Sequence, residues 1–196
     1  MKERLKRLII LLCVQICTSN PQTALAESRS IEGSGDAAMA ATSRLRLQVV
    51  IPRFLYFRVG SADSTVDTIS FQPLAGAVGN GSIVSGSGGD AAGGGGASVS
   101  LRSNAGQITI VANNDGGAGG LGSGGAISLT EISARSDSPE LATPALTDAG
   151  GSLASVAATR GNVTDRHATW SYEYRNRHAV APGIYSAEII YTAVSP

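Results

Sequence analysis

The stretch that most constrains the fold is Ala168–Val194, ATWSYEYRNRHAVAPGIYSAEIIYTAV. Along its first eight residues Ala168, Trp170, Tyr172 and Tyr174 share one face, and Thr169, Ser171, Glu173 and Arg175 the other. After Pro182-Gly183 the alternation resumes with Tyr185, Ala187, Ile189, Tyr191 and Ala193 on one side. A period of two in aromatic and β-branched residues marks a half-buried strand. Two such runs across Pro-Gly predict an antiparallel hairpin. Five of the nine aromatic residues lie in this stretch, so Trp170, Tyr172, Tyr174, Tyr185, Ile189 and Tyr191 are the expected structural core.

Upstream, Arg44–Val59 reads RLRLQVVIPRFLYFRV, with Leu45, Leu47, Val49 and Ile51 opposite Arg44, Arg46 and Gln48. Pro52 cannot donate a ladder hydrogen bond, so one long strand bent at Pro52 is expected. Further strands are predicted over 66–72, 82–85, 97–103, 107–112, 126–132 and 152–158. Val99 and Leu101 answer Ile108 and Ile110 across Asn104-Ala105-Gly106, a three-residue hairpin loop. Eighteen of the 25 glycines fall between Gly76 and Gly125. The runs Gly86–Gly96 and Asp115–Gly125 read as long mobile loops, too poor in apolar groups to fold alone. Ser133–Gly151 reads as an irregular crossing pinned by Leu141 and Leu146. No segment has apolar residues at helical spacing. Eight or nine strands with frequent turns predict an all-β fold, an antiparallel immunoglobulin-like β-sandwich with long glycine-rich loops.

The first 26 residues read as a signal peptide: Lys2, Arg4, Lys6 and Arg7, then the apolar run Leu8–Cys17, then the small-residue site Ala24-Leu25-Ala26. An uncleaved anchor, the rival reading, needs a longer apolar run. Cleavage removes Cys13 and Cys17, so neither a disulfide nor a thiol nucleophile is expected in an exported periplasmic, cell-surface or secreted product. It also removes both lysines and leaves eleven arginines against fourteen acidic groups, a net charge of −3. Dispersed arginines on a slightly acidic chain argue against nucleic acid and anionic lipid as partners, and no membrane insertion is expected after cleavage. Residues 27–43 form a leader of small residues. It reads as a flexible terminus or, alternatively, as a weak donor strand with Ile31, Ala37 and Met39 on one face. Residues 44–196 are expected to form the β-sandwich domain.

Several motifs dissolve on inspection. Gly117–Gly122 matches GxGxxG by letter, but a strand and not a helix is expected after it, so no helix N-terminus meets a pyrophosphate. The glycine runs hold only Asp90 and Asp115, too few acids for calcium repeats. His167 and His178 could meet at one sheet end, but lack a third zinc ligand. Asp165 and His167 suggest a Ser–His–Asp set, yet no GxSxG elbow accompanies them. Asn80-Gly81-Ser82 and Asn162-Val163-Thr164 are glycosylation sequons by letter and read as turns. No catalytic, cofactor-binding or metal-binding residue is assigned, no cofactor is expected, and the chain reads as a non-enzyme.

Ala181-Pro182-Gly183-Ile184-Tyr185, followed by Glu188-Ile189-Ile190-Tyr191-Thr192, resembles the closing strand of chaperone–usher pilins of the spore coat protein U type. Trp170-Ser171-Tyr172 with that strand resembles, more faintly, the end of WxL cell-wall-binding domains. The pilin resemblance implies a cell-surface structural or adhesion subunit of a fimbrium or pilus, with like subunits and a periplasmic chaperone as partners. The alternative is a secreted binding module whose loops contact polysaccharide or another cell-envelope component.

Overall fold

A computed structural model describes residues 28–36, 38–62, 65–115 and 119–196. The expected signal peptide and Ala37 lie outside them. The chain divides into Met1–Ile51 and Pro52–Pro196. In the first unit the described residues contain neither strand nor helix. The second is all-β and antiparallel.

Its strands are β1 (Leu55–Val59), β2 (Ile69–Ser70), β3 (Ile83–Ser85), β4 (Ser87–Gly88), β5 (Gly96–Ser103), β6 (Ile108–Asn114), β7 (Ile132–Ser136), β8 (Ser152–Val156), β9 (Thr164–Arg175) and β10 (Ile189–Val194). The twelve-residue β9 organises the larger sheet. One of its edges carries β5 and then β3; the other carries β7; β1 lies outside β5. The second sheet has the order β10-β6-β8, and β2 pairs with β4 alone. Both larger sheets contribute to one core: Val99, Leu101, Trp170, Tyr172 and Tyr174 from the first, and Ile108, Ile110, Ala112 and Val156 from the second. Trp170 is fully buried, and its indole N–H donates to Leu141 O at 3.0 Å.

Two expected hairpins are corrected. β9 and β10 do not pair, because the thirteen residues between them carry the chain from one sheet to the other. Their aromatic rows meet across the core: the Trp170 and Tyr191 rings pack edge-on with centroids 5.1 Å apart, and the Tyr172 and Tyr191 hydroxyls are 3.2 Å apart. β5 and β6 likewise lie in different sheets. The residues between them cannot close a tight turn, because Asn104 is engaged by β1's lead-in. Its side-chain amide donates to Pro52 O, and its Oδ1 accepts from Phe54 N, both at 2.8 Å.

The expected strand over Arg44–Val59 begins only at Leu55. β5, its partner, ends at Ser103 opposite Leu55, so β5 offers the earlier residues no further ladder. The expected strand at 126–132 is also displaced. Asp148 accepts from Leu129 N at 2.6 Å and Ser128 Oγ from Thr130 N at 3.2 Å, holding Leu129–Glu131 in a 3-10 turn. The strand is β7, which begins at Ile132, the last residue of the expected strand, and continues to Ser136 within the stretch expected to be irregular.

Nor is Gly86–Gly96 a free loop. Ser85 lies opposite Glu173 and Gly96 opposite Ser171, so Gly86–Gly95 is an excursion accommodated opposite the single residue Tyr172. Tyr172 O accepts from Gly86 N and Tyr172 N donates to Gly95 O, both at 3.0 Å. Gly95 has φ +73°, a region that disfavours a β-carbon, and the Gly86 carbonyl stands where that carbon would be. In the second run, Gly122 N donates to Ser186 O at 3.0 Å, and Leu121 bridges to Ile127.

Candidate functional site: the open side between β1 and β10

The two sheets are not closed equally on their two sides. On the side of β7 and β8, Leu141 and Leu146 enter the core from the connection between those strands. At the remaining edges the outermost strands are β1 in the larger sheet and β10 in the second, each paired on one edge only. Their core-facing residues are only half-buried: Phe57 and Val59 on β1, and Ile189, Tyr191 and Ala193 on β10. The neighbouring Leu101, Ile108 and Ile110 are fully buried. An apolar row under a free strand edge is the arrangement that accepts an added strand, whose main chain fills the ladder while alternate side chains fill the row.

At one end of this side, Arg53 donates to Pro196 O at 2.5 Å and to Ser195 Oγ at 3.4 Å. A shallow cavity of about 260 Å3 lies there, lined by Arg53, Phe54, Leu55, Ala105 and Ser195. The Tyr191 hydroxyl is held between the side chains of Tyr172 and Thr143. Burial raises its phenol well above the usual range, and the neighbouring Tyr172 raises it further. Tyr172 is raised as well, chiefly by burial. Both phenols are therefore neutral donors and acceptors.

The remaining expected residues are placed as follows. Tyr174 is buried against Phe71, ring centroids 6.2 Å apart. Tyr185 is half-buried, its ring over Gly122 and its hydroxyl donating to Ala181 O at 2.7 Å. In the leader, Ile31 and Met39 are exposed and belong to no strand.

His167 and His178 do not meet; they lie towards opposite ends of β9. His178 Nδ1 is 2.5 Å from Oε1 of the buried Glu131, whose other oxygen accepts from Arg177 N. His167 Nδ1 is 3.1 Å from Ser100 Oγ and its Nε2 3.3 Å from Asp165 Oδ1. Ser100 was not legible as part of this trio, because only the β5–β9 register brings it opposite His167. The three stand on the outer sheet face, where β5 is paired on both edges, so neighbouring backbone N–H groups are committed to ladders and do not form an oxyanion hole. A depression of about 400 Å3 lies beside them, lined by residues including Arg58, Ser98, Asp137 and Thr169. Among the described residues no group of three or more His, Cys, Asp or Glu side chains could hold a metal ion, and no helix is long and apolar enough to cross a membrane.

Neither a protein-family model, nor a curated protein, nor a solved structure matches this chain.

Proposed function

We propose that this chain is an exported, non-catalytic subunit of a cell-surface structure, pilin-like in assembly, whose immunoglobulin-like sandwich accepts a β-strand from a like subunit. The observation that carries the reading is the half-covered apolar row of β1 and β10 beneath two free edges. Edges of this kind are commonly blunted by lysine, proline or a covering segment. β10 contains none of the first two, and its outward residues Ile190 and Val194 are exposed hydrophobics. The test is electron microscopy of the cell surface together with a heat-sensitive ladder on gels. Polymers of the chain are expected. Strictly monomeric protein in its own cells would overturn the reading.

A second reading, a secreted module for polysaccharide, is favoured by the outer depression. The Arg58 Nε there is buried without a hydrogen-bond partner, beside the Ser98, Ser100 and Thr169 side chains. Binding of an acidic polysaccharide by wild type and its loss in Arg58→Ala would favour that reading.

A further inference from the structure

The outer face of the larger sheet holds a cation whose charge the chain does not meet. On β1, Phe57 and Val59 face the core, so Arg58 between them projects outward. Arg102, Arg135 and Arg166 of the same sheet each pair with a carboxylate, those of Asp165, Glu173 and Glu140. Among the described residues Arg58 pairs with none, and its Nε is buried without a hydrogen-bond partner. A guanidinium only donates, so the unmet N–H calls for an acceptor from outside the chain. The residue as a whole is half-buried, and a turn of its side chain brings this donor to a ligand.

The strand register surrounds Arg58 with hydroxyls. It lies opposite Ser100, Ser100 lies opposite His167, and Ser98 lies opposite Thr169. Asp137 continues the line of β7: its N–H donates to Thr169 O at 3.1 Å, and its Oδ1 accepts from Thr169 N at 2.8 Å. All of these line the depression of about 400 Å3. Arg58 and Asp137 stand across β5 and β9 from one another, three strand spacings or about 14 Å at the backbone. Ser100 Oγ is engaged by His167, and His167 by Asp165. The Ser98 and Thr169 hydroxyls and the second oxygen of Asp137 have no hydrogen-bond partner among the described residues. The depression therefore has a donor-only cation at one end, an acceptor-only carboxylate at the other, and hydroxyls between.

We infer that this depression binds one uronic acid residue of an acidic polysaccharide, its carboxylate on Arg58 and its ring hydroxyls towards Asp137. This rests on the second reading above and adds the class of sugar, its direction and a residue that selects it. The flat fork of Arg58 matches the two oxygens of a carboxylate. Asp137 takes hydroxyl donors and repels a second negative group. A sugar with one carboxylate at one end and hydroxyls at the other satisfies both. A polysulfated sugar, charged at both ends, satisfies only the first.

The test is calorimetric titration of the full chain, purified from its own cells. The probes are oligosaccharides of galacturonic and of glucuronic acid, the methyl esters of both, and dextran sulfate. Wild type should bind at least one of the acids, and should bind its ester and dextran sulfate at least about tenfold more weakly. Arg58→Ala should weaken binding of that acid by about 10- to 100-fold, the loss of one charge-assisted contact. Asp137→Asn keeps the oxygen that accepts from Thr169 N. It should leave Tm unchanged and raise the affinity for dextran sulfate, a gain that a merely structural role would not produce. Equal binding of acid and ester, or binding that survives Arg58→Ala, would overturn the inference and leave polysaccharide binding standing. Dextran sulfate bound by wild type as tightly as the acid would also overturn it. The ester comparison needs no variant, so it decides even where Arg58→Ala fails to fold. Failure of wild type to bind any of these probes would instead end the second reading itself.

Discussion

Replacing Gly95 by alanine separates a packed excursion from a flexible loop. Gly95 and Gly93 both have positive φ, +73° and +95°, so alanine is strained at either position by about 1–2 kcal/mol. The surroundings differ. A β-carbon on Gly93 meets nothing within 4 Å, whereas one on Gly95 stands against the Gly86 carbonyl oxygen and 2.7 Å from its carbon. That carbonyl belongs to the residue whose N–H bonds Tyr172, so relief means moving backbone that flanks β9. Forcing a methyl into packed structure adds about 1–3 kcal/mol. Gly95→Ala should therefore cost about 2–5 kcal/mol, and Gly93→Ala about 1–2. At roughly 3 °C per kcal/mol for a unit of this size, Tm should fall by about 6–15 °C in the first and about 3–6 °C in the second. Thermal unfolding followed by far-ultraviolet circular dichroism reads the difference. Equal losses at the two positions would refute the packed excursion.

Trp170→Ala should cost about 3–5 kcal/mol, since it empties a fully buried site and removes one of the two donors, Trp170 and Ser136, that bond Leu141 O; denaturant titration measures it. Native fluorescence should be blue-shifted, and emission like that of free tryptophan would contradict the burial. Asn104→Ala should loosen the lead-in to β1, costing about 1–3 kcal/mol with faster exchange of the Phe54 amide. Because burial raises the Tyr172 and Tyr191 phenols, their contribution is complete below the unfolded tyrosine pKa of about 10 and is lost as pH rises beyond it. Tm should therefore fall above about pH 10, and less steeply when both residues are phenylalanine.

The face alternation of β9 and β10 was legible because it is local: Trp170, Tyr172 and Tyr174 point inward together, as do Ile189, Tyr191 and Ala193. Their pairing was not, because a strand's partner is chosen by contacts far along the chain. Period two at Arg44–Ile51 shows that a segment is able to be a strand, but not that its own molecule supplies a neighbour. β7 shows the converse: Ser133, Arg135 and Ser136 look like loop residues, yet the long edge of β9 recruits them. Glycine content suggested mobility at 86–96, whereas the requirement at Gly95 is close approach of two backbones, which composition does not encode. The open side was invisible for a related reason, since half-burial of Phe57 and Tyr191 depends on which strands are outermost.

Hydrogen exchange at β10 tests the central claim most directly. Antiparallel pairing with β6 occupies alternate amides of Ile189–Val194 and leaves the others facing the free edge. In monomeric protein the edge-facing amides should exchange rapidly and the β6-facing ones slowly; in assembled material both sets should be slow. Full protection of β10 in the monomer, or edge amides that stay fast after assembly, would contradict strand addition at this side.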